Sequence, residues 1–210
     1  MSNYYQERSR TKKLISGFGD YIEDQLADQI PVYLVTFMFD HISGSPHQQL
    51  AEMHRIFGNI YSPVLTRYVK KPRSSYDLST RAPIVYVLPD LQKKKGLEKR
   101  QPQTIQQVRA NDGLHVHSLW FEQSESRSGA TLEEIIKRAL AVSGHGVSNH
   151  DIRPVTHDPH DVADYVMGSI KRGQHGMDDV LILPRVTTEL GAKENRYRQV
   201  PDHIRRSISV

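Results

Sequence analysis

Residues 114–121 read LHVHSLWF, a β-forming run with two histidines one residue apart. On a strand, successive side chains point to opposite faces, so His115 and His117 face one way and Val116 the other. Strand rise sets the pair about 7 Å apart along the backbone. Two neutral imidazoles so placed can share one divalent metal ion once a third ligand joins them. Eleven histidines supply candidates. His41, just past an apolar run at 32–39, is taken as the third ligand. Glu122 follows the pair but alternates to the opposite face; His150, His157 and His160 surround the fourth strand and the following helix, where His157 and His160 read as capping or surface residues. The absence of cysteine excludes thiolate metal sites, iron–sulfur clusters, thiol nucleophiles and disulfide scaffolds.

The elements that must position the pair follow from periodicity. Val32–Phe39 (VYLVTFMF) is β-branched and aromatic on both faces, the pattern of a central strand. Ser45, Pro46 and Gln48 make a helix start: N-cap, proline at the first helical position and capping-box partner. Leu50, Met53, Phe57, Ile60, Tyr61, Val64 and Tyr68 continue an apolar stripe past Pro63, where a kink is predicted. Residues 84–88 and 113–122 predict two strands in a long-looped hairpin, and Thr131 with Glu134 caps a helix over 131–142. A short fourth strand is predicted at 152–155. A helix opens at Asp158-Pro159 and runs to Arg172, and an edge strand lies at 180–183. A short helix is expected around 20–29, ended by Pro31, with residues 1–13 flexible.

This order predicts an α+β fold: a ferredoxin-like antiparallel sheet with helices packed mainly on one face and the histidine pair looking out from the other. One domain is expected over 31–190. It is flanked by an N-terminal tail and short helix at 1–30 and a basic C-terminal tail at 191–210.

Three segments, in order and spacing, resemble the HUH endonuclease superfamily, which includes rolling-circle replication initiators and relaxases. VTFMFD at 35–40 is similar to the family's first-strand motif, HVH at 115–117 to its histidine strand, and DVADYVMGSIKRG at 161–173 to its tyrosine helix. The resemblance covers residues 32–173 and implies metal-dependent nicking and joining of single-stranded DNA through a 5′-phosphotyrosine, as in rolling-circle replication initiation. It implies Mn²⁺ or Mg²⁺ as cofactor, single-stranded or hairpin DNA as partner, and a host helicase for unwinding. Tyr165 is then the nucleophile. On a helical wheel Val162, Val166 and Ile170 form the buried side, and Tyr165 sits at its edge with Gly168, Ser169 and Arg172 along one side. Arg172 is expected to assist the phosphate, and Lys171, turned away from the tyrosine, is expected to contact DNA. Many family members carry a lysine shortly after the tyrosine, where this chain has Gly168 and Ser169.

The net charge of +4 permits nucleic-acid binding without demanding it. Lys93, Lys94, Lys95, Lys99 and Arg100 share one loop and read as a phosphate clamp. Tyr76, Tyr86 and Trp120 are candidates for stacking on unpaired bases, although Tyr86 and Trp120 lie on strands and read first as core. Two rival readings remain at this level. His115, His117, Glu122 and Gly129 fit part of a cupin pattern, but Arg109 stands where that pattern has glycine. An initiator-like fold could also bind DNA without nicking it. The longest apolar run, Val32–Phe39, is too short to span a bilayer, and the charged N-terminus lacks the apolar stretch of a signal peptide. A soluble cytoplasmic protein without membrane partners is expected.

Overall fold

The apolar run Val32–Phe39 forms β1, inside the sheet as its two-faced pattern predicts. The structure is a computed structural model that describes residues 2–70, 75–90 and 115–184. Four further strands join β1: β2 (Ile84–Asp90), β3 (His115–Phe121), β4 (Val147–Pro154) and β5 (Leu181–Leu183). The sheet order is β4-β1-β3-β2-β5, with every neighbouring pair antiparallel. This is the α+β architecture with a ferredoxin-like sheet that the element order implied. The sheet is open, and Glu122 accepts a hydrogen bond from the Tyr68 hydroxyl at 2.6 Å rather than joining the histidines. The barrel and ligand set of the cupin reading are therefore absent from the described residues.

Helix α2 (Pro46–Tyr68) starts as expected: the Ser45 side chain accepts from the Gln48 amide, and Gln48 reciprocates to the Ser45 backbone at 2.8 Å. A short α3 (Ser75–Arg81) leads into β2, and α4 (Leu132–Ser143) follows its Thr131 cap. The stripe of α2 and the inward residues of α4 cover one sheet face, sealing Val35, Phe37, Val85, Val116 and Trp120. Phe57 stands edge-on to Phe37 at 5.3 Å and tilts against Trp120 at 5.6 Å, so an aromatic stack fills the centre of this layer.

The opposite face is also covered, which the expected one-sided packing did not include. Helix α1 spans Ser2–Ala27, well beyond the short helix expected around 20–29, and residues 11–13 are helical rather than flexible. Leu14, Ile15, Phe18, Tyr21 and Ile22 pack against Tyr86, Leu119 and Phe121. Burial of this stripe offsets the helix-weakening cost of Gly17 and Gly19, about 1 kcal/mol each. Gly19 has a further use: a Cβ there would collide with the ring of His160, so the bare backbone lets the next helix approach. The helix closes through Ile30 N–H to the Gln25 carbonyl at 2.9 Å and Gln29 N–H to the Leu26 carbonyl at 3.0 Å, with Gln29 left-handed at φ 60°.

Crossing α1 are α5 (Pro159–Val166) and α6 (Gly168–Lys171). The single helix expected from Asp158 to Arg172 is broken at Met167, whose backbone (φ −89°, ψ 13°) leaves the helical region. Strands β2 and β4 are longer than expected, β2 by two residues at its C-terminal end. No helix among the described residues is long and apolar enough to cross a membrane.

Candidate metal centre

The centre is built where the α1/α5/α6 face of the sheet stops being apolar. Antiparallel register sets Phe121 opposite Val32 and Ile84, then Leu119 opposite Leu34 and Tyr86, then His117 opposite Thr36 and Leu88. One step further, His115 lies opposite Met38 and Asp90. Residues directly opposite share a face. The alternation that puts Val116 and Trp120 into the core therefore delivers both imidazoles to the same end of the other layer.

Asp90, His115 and His117 converge. The two Nε2 atoms are 3.1 Å apart, and Asp90 Oδ2 is 3.5 Å from that of His115 and 3.7 Å from that of His117. Ligand atoms around a four-coordinate ion with bonds near 2.0–2.1 Å stand roughly 3.3 Å from one another. The spacing therefore suits a shared cation better than a direct carboxylate–imidazole hydrogen bond. One carboxylate and two imidazoles fit a divalent first-row ion and leave positions open. His117 Nδ1 lies 3.0 Å from Thr36 Oγ1. The tautomer that donates to Thr36 leaves Nε2 with its lone pair directed at the group.

The titration states agree with that role. Burial lowers the His117 pKa below its ordinary 6.5, with His115 adding to the effect and Asp90 opposing it, so the ring is neutral at pH 7. Burial alone would raise the Asp90 pKa. The neighbouring imidazoles of His115 and His117 and the nearby Arg172 charge outweigh it and hold the carboxyl well below its usual range. His117 is buried, in contrast to the exposed pair expected from alternation, because α5 folds over it.

Helix α5 brings Tyr165 to the group. Its ring lies 4.6 Å from that of His117, tilted by 49°, and over half its surface is exposed. Ala163 and Val166 anchor the helix from below, so the phenol stands at its edge as the wheel implied. His160 binds α5 to α1 from outside: its Nε2 lies 3.5 Å from Asp20 and 3.7 Å from Glu23. All three of those groups are exposed.

Other expectations fare differently. His41 is not the third ligand of the group; it is exposed beyond β1 and lines an open cleft with Asp40, Gln48, Glu52 and Gly146. Arg172 pairs with Asp90. Lys171 pairs with Asp164 at 2.5 Å. Trp120 and Tyr86 are core residues, which removes them from base stacking. His150 lies opposite Phe37, on the other face of the sheet. Lys93, Lys94, Lys95, Lys99 and Arg100, and the side chain of Tyr76, lie outside the described residues.

Asp90 and Thr36 were not singled out in the sequence. The signal for Asp90 was its period-two relation to Tyr86 and Leu88, masked by Pro89, which reads as a strand end. Comparison of the chain with models of known families, with curated proteins and with solved structures finds no match.

Proposed function

We propose that this protein is a metal-dependent enzyme that nicks and rejoins single-stranded DNA through a covalent bond between Tyr165 and a 5′-phosphate. One observation carries the reading: an exposed phenol tilted against the buried imidazole of an aspartate–histidine–histidine group. A general ligand site has no need of a solvent-facing tyrosine there, whereas a transesterase needs a nucleophile beside its charge clamp. The similarity of VTFMFD, HVH and DVADYVMGSIKRG to the HUH endonuclease motifs supports the same chemistry and a role in initiating rolling-circle replication.

Asp90, His115 and His117 would hold the ion, with Mn²⁺ better suited than Mg²⁺ to two imidazoles. A bound divalent ion polarises the scissile phosphate and stabilises charge on its non-bridging oxygens. Tyr165 Oη attacks phosphorus and gives up its proton to solvent. The P–O3′ bond breaks, and the leaving oxygen takes up a proton to become a 3′-hydroxyl. Rejoining is the reverse: a 3′-hydroxyl attacks the phosphotyrosine and releases the phenol. A phenol of pKa about 10 is mostly protonated at neutral pH, so a neighbouring positive charge favours its reactive form.

The test uses oligonucleotides labelled at either end, incubated with protein and Mn²⁺, then denatured. The 3′-labelled fragment should migrate with wild-type protein, and Tyr165→Phe should show none while still binding DNA. His115→Ala with His117→Ala should lose Mn²⁺ binding. Absence of adduct from wild type on an oligonucleotide shown to bind would leave a DNA-binding protein without nicking.

A further inference from the structure

Helix α6 is a single turn, yet two side chains, Ser169 within it and Arg172 just after it, are committed to the end of β2. Ser169 is fully buried and its hydroxyl donates to the Pro89 carbonyl at 2.5 Å. Arg172, one turn later, places Nη2 on Asp90 Oδ1. Its Nε donates to Gln174 Oε1 at 2.7 Å, so the guanidinium plane is held from both sides. Gly168 completes the arrangement: a Cβ there would stand 3.0 Å from Arg172 Nη1, in the path the guanidinium takes to Asp90.

The two carboxylate oxygens of Asp90 therefore have different partners. Oδ1 belongs to Arg172, and Oδ2 faces His115 and His117. A carboxylate can otherwise rotate or offer both oxygens to one cation. We propose that Arg172, with Ser169 anchoring the strand end beneath it, is a positioning residue for the metal centre: it restricts Asp90 to one ligating oxygen and keeps coordination positions open for phosphate. This assignment rests on the reading of Asp90, His115 and His117 as metal ligands. It differs from the phosphate-assisting role that helix spacing alone gave Arg172.

The same turn follows directly on the helix that carries Tyr165. Its bonds to Pro89 and Asp90 hold nucleophile and ligand set in one fixed relation, work that a flexible lysine after the tyrosine would not do. Gly168 and Ser169 thus have structural uses at the positions where many HUH proteins have a lysine.

The experiment is calorimetric Mn²⁺ titration of the full chain, paired with single-stranded DNA affinity in chelator. Arg172→Ala should weaken Mn²⁺ about 10- to 100-fold, the usual effect of removing the partner of a metal ligand. Arg172→Lys should recover part of that loss, since it restores charge without the planar fork. Ser169→Ala should give a smaller loss in the same direction. Metal-free DNA affinity should not change in any of the three. Wild-type Mn²⁺ affinity in Arg172→Ala, with binding lost in the double histidine variant, overturns the positioning role and leaves the centre standing. Retained Mn²⁺ binding in the double histidine variant overturns the centre itself. Loss of metal-free DNA affinity in Arg172→Ala with Mn²⁺ affinity intact makes Arg172 a phosphate contact instead. If circular dichroism shows Arg172→Ala unfolded, Arg172→Lys and Ser169→Ala decide, and wild-type Mn²⁺ affinity in both overturns the proposal.

Discussion

The two faces of β3 do opposite work with the same backbone. Toward α2 and α4, Val116, Ser118 and Trp120 are fully buried from end to end, and the polar atoms among them are satisfied internally. Ser118 Oγ donates to the Val35 carbonyl at 3.0 Å and accepts from Trp120 Nε1 at 2.9 Å. Toward α1 and α5, Phe121 and Leu119 are core, but His117 and His115 open onto a carboxylate and an exposed phenol. The sealed face invests its contacts in stability. The half-sealed face uses its apolar end as a footing for groups that must stay reachable.

Carboxylates at the two faces make the same contrast. Burial pushes the Glu122 pKa up, and the hydroxyl of Tyr68 only partly offsets it. Asp90 is also partly buried, yet imidazoles and a guanidinium hold its pKa down. What decides the sign is the set of donors around each carboxylate, not the depth of burial.

Trp120→Ala should show the largest stability loss, about 3–5 kcal/mol, because it empties the aromatic stack of the sealed face. Tyr165→Phe should stay within about 0.5 kcal/mol while abolishing adduct. Urea unfolding of both variants checks this, and equal losses would break the contrast between the faces.

Ser118→Ala comes next. It strands the indole N–H of Trp120 in a dry layer, for about 1–3 kcal/mol. A neutral result by the same unfolding measurement would mean that this layer admits water.

Glu122→Gln sharpens the comparison through pH. A carboxyl whose native pKa is raised favours folding while protonated. Its contribution is full below its ordinary 4.5 and is lost as pH rises through the native value. Wild-type stability should therefore fall across that window, and Glu122→Gln should flatten the decline. An unchanged profile of urea midpoints against pH would assign the decline to another group.

The smallest effect expected lies in the lysines that follow β2 in the chain. Replacing Lys93, Lys94 and Lys95 should flatten the slope of log affinity for single-stranded DNA against log salt, by about 0.7 for each phosphate that the protein no longer neutralises. An identical slope would make these lysines solvated bystanders.

Much of the fold was legible because its signals are local. The Ser45–Gln48 box, the stripe from Leu50 to Tyr68 and the Thr131 cap each act within a few residues, and each element formed as expected. The alternation of His115 and His117 needed only the geometry of a strand. The full length of α1 was not legible, because Gly17 and Gly19 weaken it locally and only burial against Tyr86 and Phe121 sustains it. The pairing of Arg172 with Asp90 was not legible, because it joins residues far apart in the chain.

The centre divides along the same line. Residue types and short spacing marked His115, His117 and Tyr165 as side chains able to ligate or attack, and the strand and helix that bear them. Tertiary structure decided which of them meet. Asp90 rather than His41 stands by the histidines because β2 continues past Pro89 and pairs in a register that sets it opposite His115. Arg172 pairs with that carboxylate. Local preferences reach only a few residues along the chain, whereas register and helix crossing are settled by burying the apolar surfaces of distant segments together.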